Sequence, residues 1–90
     1  MKLLTLNTHS LIEPDYEAKR EIFVNFIAAE QPEVFALQEV NQTASAPLLG
    51  EVPAGYYPCP GNNVPLKADN HAAAVAKMLA QRGIHYDWSW

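Results

Sequence analysis

Asn7 and Glu39 are the two residues whose type and placement could do chemistry together. Residues 2 to 6 are apolar apart from Lys2 and Thr5, and the chain turns polar at Asn7-Thr8-His9-Ser10. Val34-Phe35-Ala36-Leu37 is a second apolar run, followed at once by Gln38-Glu39. Both runs are too short for a helix and read as strands buried on both faces, as in a parallel sheet. As parallel neighbours, roughly 5 Å apart, they bring Asn7 and Glu39 out side by side at their carboxyl ends, where open α/β sheets bind ligands. A carboxylate beside an amide oxygen is a hard-oxygen pair. It suits Mg²⁺, or Mn²⁺, which is typically held by one or two carboxylates and keeps water or substrate phosphate in its other positions. Such a metal polarises a phosphoryl oxygen and helps make a nucleophile from water. The structural reading of the same residues stands beside this one: an Asn at a strand end commonly forms a turn, and a Glu there is commonly a solvated charge.

The elements between them must supply that adjacency. Glu13-Pro14-Asp15 opens a helix, with proline at the first helical position and acids in the first turn. From Tyr16 to Gln31, the residues Ala18, Ile22, Phe23, Phe26 and Ile27 form an apolar stripe at three- and four-residue spacing, and Lys19, Arg20, Glu21 and Asn25 lie largely off it. Pro32 stops the helix. The helix is about 25 Å long, enough to cover a strand. Strand, helix and strand make a right-handed βαβ unit with parallel strands.

Residues 41 to 67 carry five of the seven prolines and form a long irregular loop, with one short helical turn around Ala46 to Gly50. Asp69 is positioned to cap a second helix, with Ala72, Val75, Ala76 and Leu79 on one face and Gly83 as its stop. Ile84 to Trp90 alternates strictly and reads as a further strand, with Ile84, Tyr86, Trp88 and Trp90 on its apolar face.

Composition bounds the classes. With 49% hydrophobic and 18% charged residues, the 90-residue chain is a single globular domain and not a disordered one. No apolar run approaches the roughly 18 residues of a membrane span. One cysteine, Cys59, excludes an internal disulfide and a thiolate zinc site. It also fits a reducing compartment, and the absence of a signal-peptide pattern after Met1 to Leu6 makes the expected location cytoplasmic. The net charge is −4 and the six Lys and Arg are scattered, so no basic stripe indicates nucleic acid.

The motif Leu4-Thr5-Leu6-Asn7-Thr8, followed by Pro32-Glu33-Val34-Phe35-Ala36-Leu37-Gln38-Glu39-Val40, resembles the opening of the endonuclease/exonuclease/phosphatase superfamily, the DNase I-like fold. Members begin with a strand ending in Asn and reach a strand of the form Pro-Asp-hydrophobic-hydrophobic-x-Leu-Gln-Glu; Glu33 stands here for the usual Asp. The resemblance implies a four-layer α/β sandwich, of which residues 1–90 would be a partial domain from the N-terminal side. It implies a Mg²⁺-dependent phosphodiesterase or other phosphoester hydrolase. Glu39 is then the metal ligand, Asn7 its partner in the catalytic site, and Gln38 a supporting or packing residue. The segment Asp69-Asn70-His71 to Trp90 is similar, more weakly, to bacterial members. The family's general-base His, the Asp that orients it, its Asp-x-Asn pair and its second catalytic His lie downstream of these residues. The 90 residues alone are therefore expected to be inactive.

Other polar residues are weighed the same way. His9 could touch a substrate phosphate, but reads as a solvated loop histidine. His71 reads as solvated in a first helical turn, and His85 with Asp87 as the polar face of the last strand. Tyr86, Trp88 and Trp90 could stack bases, but their period of two reads as core-facing. Cys59 has no activating neighbour. Two further functions remain beside the hydrolase. One is a non-catalytic interaction module that buries its open edge and Trp88 and Trp90 in a partner or in a copy of itself. The other, a nucleotide-binding βαβ unit, lacks the glycine-rich turn after the first strand.

Overall fold

Two parallel strands cannot be joined by a tight turn, and the helix that crosses between them sets this architecture. The computed structural model describes residues 1–90. Strand β1 (Leu3–Asn7) leads through a 3₁₀ turn (Ser10–Ile12) into helix α1 (Tyr16–Glu30), which returns to strand β2 (Val34–Gln38); helix α2 (His71–Gln81) follows a long loop. β1 and β2 pair in parallel over five positions, from Leu3↔Val34 to Asn7↔Gln38. The result is a small mixed α/β fold with a two-stranded sheet.

The core lies where the two helices meet one face of the sheet. Val24 and Ile27 from α1 pack with Val75 and Leu79 from α2, and Leu4, Phe23, Phe35, Ile84 and Tyr86 close around them. Each such side chain contributes roughly 1.5–3 kcal/mol on burial. Phe35 links the layers through edge-on contacts with Phe23 and Tyr86, at centroid distances of 6.4 and 4.8 Å.

Only one sheet face is covered, which corrects the expectation that both strands are buried on both sides. Leu3 is 68% exposed and Val34 52% exposed, because no helix packs over them. The apolar stripe of α1 is corrected too. Val24 and Ile27 are buried, whereas Ile22 and Phe26 are exposed. The wide apolar arc of this helix offered two possible faces, and contact with α2 selected one of them.

The ends of the helices differ in part from expectation. Pro14 lies outside α1, whose N-cap Asp15 sits at φ 54° and makes no side-chain cap. The left-handed backbone turns that carboxylate away from the first-turn amides. α2 is capped by Asn70, which accepts from the Ala73 N–H at 3.0 Å. Asp69 instead accepts from the Thr43 N–H at 2.9 Å, and hydrogen bonding from Thr43, its side chain first and its backbone second, holds the Asp69 carboxyl below the ordinary range. Pro32 and Gly83 do end their helices. Gly83, at φ 77°, donates to Ala80 while Ile84 donates to Leu79, a paired closure that suits a left-handed glycine.

The loop between β2 and α2 is closed on itself. The Gln42 Oε1 accepts from the Lys67 N–H at 2.7 Å and from Asn70 Nδ2 at 3.1 Å, and Leu48 bridges Lys67 in antiparallel fashion. A turn at Thr43–Ala46 replaces the expected helical turn around Ala46 to Gly50. Pro47 accepts a backbone bond there and has no N–H to carry a helix onward.

Residues 84–90 are extended but form no strand. Their burial alternates as expected: Ile84, Tyr86, Trp88 and Trp90 are half-buried, and His85, Asp87 and Ser89 exposed. The one β-bridge they make to the rest of the chain is parallel, Tyr56↔Trp88. A strand needs a continuous partner, and the proline-rich segment beside Trp88 offers only one paired position.

Ile27→Ala should lower unfolding stability by about 2–5 kcal/mol, while Ile22→Ala should change it by less than about 0.5 kcal/mol. Denaturant titration measures both; equal losses would contradict the assigned core face.

Candidate functional site

The parallel register delivers the site. Asn7 is the last residue of β1 and Glu39 the first after β2, so the two emerge at the same end of adjacent strands. Asn7 Oδ1 accepts from the His9 N–H at 3.1 Å, the local turn its residue type favours. One lone pair of that oxygen remains. Thr8 clamps the end of β2, since its N–H and its hydroxyl both donate to the Gln38 carbonyl oxygen at 3.1 Å. Gln38 in turn donates through Nε2 to Thr5 Oγ1 at 2.8 Å across the sheet, a packing role.

His9 joins the two candidates. Its Nε2 lies 3.8 Å from Glu39 Oε2, and its Nδ1 lies 3.2 Å from Glu13 Oε2. Glu13 also receives Lys19 Nζ at 2.5 Å. Lys19, then His9, hold the Glu13 carboxyl below the usual range. By residue type and position alone, His9 reads as a solvated loop histidine and Glu13 as a helix opener. Sequence offered no signal that the turn would bring His9 to both carboxylates.

Backbone strain gathers at the same place. Five non-glycine residues have positive φ, and three of them are His9 (51°), Ser10 (49°) and Glu39 (58°). Non-glycine residues in this region cost on the order of 1–3 kcal/mol each and persist only where the surroundings impose them. Here the two strand-end loops impose them on each other. Buried Ser10 accepts through Oγ from the Asn41 N–H at 3.3 Å, and Asn41 Oδ1 accepts from the Leu11 N–H at 3.3 Å.

A cavity of about 230 Å³ opens on the Asn7 side, lined by Asn7, His9, Glu13, Tyr16, Lys19 and Arg20 among others, whereas Glu39 borders a separate groove between β2 and α2. The scattered cations of the sequence are thus partly gathered, since α1 presents Lys19 and Arg20 toward the end of β1. Arg20 lies 5.1 Å from the centre of the Tyr16 ring, and the Tyr16 hydroxyl is 2.7 Å from His71 Nδ1. His71 is 3% exposed, which corrects the expectation of a solvated histidine. Burial, aided by the nearby Arg20 charge, lowers its pKa to about 4, so the ring is neutral near pH 7.

By chemistry alone, a carboxylate and an amide oxygen are hard donors of the kind Mg²⁺ takes. Glu39 offers a half-exposed carboxylate and Asn7 an amide oxygen with a free lone pair. No group of three or more His, Cys, Asp or Glu side chains is placed to hold a metal. A site of this kind would therefore rest on one carboxylate, with water or phosphate completing the shell.

The remaining candidates fall elsewhere. His85 and Asp87 are exposed and share no hydrogen bond. The Trp88 and Trp90 indole N–H groups donate to the carbonyl oxygens of Ala54 and Val40, which fixes both rings against the chain. Cys59 is exposed, with its Sγ 3.0 Å from Ser89 Oγ. No helix is long and apolar enough to cross a membrane. No family model matches the chain, and neither a curated protein nor a solved structure matches it.

The neutral, buried His71 generates a pH dependence. Its folded pKa lies below the unfolded value near 6.5, so the unfolded state binds more protons between about pH 6.5 and pH 4. Stability should be full above pH 6.5 and fall by up to about 1.4 kcal/mol per unit as the pH drops through that window. Denaturant unfolding of the wild type and of His71→Gln across this range isolates the effect. Parallel pH profiles for the two would contradict the assignment.

Proposed function

We propose that this chain carries the metal-binding half of a magnesium-dependent phosphoester hydrolase site of the DNase I-like kind. The observation that carries the reading is the emergence of Asn7 and Glu39 at the same end of adjacent parallel strands, with Asn7 on a cavity that Lys19 and Arg20 also line. The resemblance of the two strand motifs to that superfamily supports it, and so does the clustering of strained residues at His9, Ser10 and Glu39.

Glu39 and Asn7 would hold the cation. When bound, a metal of this class supplies positive charge to a phosphoryl oxygen and acidifies bound water. His9 anchors the Asn7 side chain through its backbone and approaches Glu39 through its ring, so it sits between the two oxygen donors. Lys19 is neutralised by Glu13, so Arg20 is the cation of the cavity wall without a carboxylate partner. Both ring nitrogens of His9 face carboxylates, so His9 is not poised over a water as a general base. For that reason residues 1–90 by themselves bind the metal without turning over substrate, and the substrate class is a phosphoester bound through its phosphate.

A second, non-catalytic reading has one observation in its favour. The outer edge of β2 is unpaired and borders an apolar groove, as an interaction module would require.

Glu39→Ala should weaken Mg²⁺ binding at least tenfold and Asn7→Ala about tenfold, with circular dichroism unchanged, in calorimetric titration of the chain. Unaltered affinity in Glu39→Ala removes the metal reading. The same chain should show no magnesium-dependent hydrolysis of bis(4-nitrophenyl) phosphate at ordinary enzyme rates, on the order of 1 per second or more. Turnover at such rates would refute the half-site account.

A further inference from the structure

β2 pairs with β1 on one edge only, and no backbone hydrogen bond leaves its other edge. Residues 86–90 run alongside that free edge without touching it through backbone. Two side-chain bonds span the interval. The Tyr86 hydroxyl donates to the Pro32 carbonyl oxygen at 2.5 Å, just before β2, and the Trp90 indole N–H donates to the Val40 carbonyl oxygen at 2.8 Å, just after it. The segment is thus anchored at both ends of β2, in the same direction, at the reach of an aromatic side chain. Between the two lies a groove of about 650 Å³ with Ala72, Val75, Ala76 and Leu79 of α2 lining it.

We propose that this groove receives an extended, basic-flanked apolar segment of another protein, which adds to the free edge of β2 as a third strand. This deepens the interaction-module reading above and rests on it. A strand added there lies about 4.8 Å from β2 and satisfies its open N–H and C=O groups. Its alternate side chains fall on the apolar wall of α2. Charge selects the occupant. The three charged residues lining the groove are Glu33, Glu39 and Asp87, all acidic; the N-terminal amine lies 4.0 Å from Glu33 and His9 Nε2 lies 3.8 Å from Glu39, both pairs exposed, and Asp87 has no cationic neighbour. A segment with lysine or arginine at its ends complements them. A second copy of this chain does not. Antiparallel pairing of β2 with its own copy about Ala36 would set Glu33 opposite Glu39 at both ends, like charges facing each other, and each chain already carries a net charge of −4.

The test uses the whole chain and two fluorescein-labelled peptides of alternating valine and threonine, one flanked by lysines and one by glutamates. Fluorescence anisotropy at 0.15 M salt should show saturable binding of the lysine-flanked peptide and at least tenfold weaker binding of the other. Amide shift changes on binding should map to β2, α2 and residues 86–90. Ala76→Phe fills the groove from the half-buried face of α2 and should weaken binding at least tenfold. The double charge reversal of exposed Glu33→Lys and Asp87→Lys should invert the peptide preference without relying on a packing change. Absence of binding, equal binding of the two peptides, or binding indifferent to both variants overturns the proposal. A concentration-dependent dimer in light scattering that protects the β2 amides would also overturn it in favour of a second copy, while leaving the interaction-module reading intact. A monomer that binds neither peptide defeats both.

Discussion

The parallel register of β1 and β2 is the constraint on which the rest depends. It places Asn7 opposite Gln38, and therefore Glu39 just beyond, at one end of the sheet. A one-residue slip would turn each side chain of a strand to the opposite face. The register is held from both ends. Glu33 donates its N–H to the Lys2 carbonyl oxygen at 3.0 Å at the start, and Thr8 grips Gln38 at the finish. Between them, the covered face sets Leu4 beside Phe35 over the helices, so hydrophobic burial and strand-end hydrogen bonds specify the same pairing.

The site then follows from what the chain must do on leaving each strand. Both exits are sharp. β1 turns through His9 and Ser10, β2 through Glu39, and all three residues take left-handed backbone without being glycine. The bonds between Ser10, Leu11 and Asn41 tie these exits together. The strain sits beside the charged side chains, and the core of Val24, Ile27, Val75 and Leu79 supplies stability that offsets it. The burial of His71 against Tyr16 and Arg20 joins α2 to α1 next to the cavity, so the same contact closes the core and shapes one wall of the pocket.

Much of this was legible in residue order. Two short apolar runs around an amphipathic helix specify parallel strands, and Pro32 and Gly83 mark helix ends because their backbone chemistry permits little else. The polar residues at the strand ends follow directly, which is why Asn7 and Glu39 could be named together. What sequence left open depends on tertiary partners. α1 has apolar residues around more than half its circumference, and only contact with α2 decides that Val24 faces inward and Ile22 outward. The alternation of Ile84 to Trp90 correctly foretells burial, but alternation specifies faces and not a hydrogen-bonded neighbour, so the segment is extended without joining the sheet. The roles of His9 and Glu13 arise from turn geometry and long-range contacts, which leave no periodic trace.

The most direct test of the central claim is paramagnetic. Mn²⁺ titrated into isotope-labelled chain should broaden amide resonances selectively at residues around Asn7 to Ser10 and Glu39 to Asn41, where the two strand exits meet, and Glu39→Ala should abolish the pattern. Broadening centred elsewhere, such as on exposed Glu17 and Glu21 of α1, or persisting unchanged in that variant, would contradict the account.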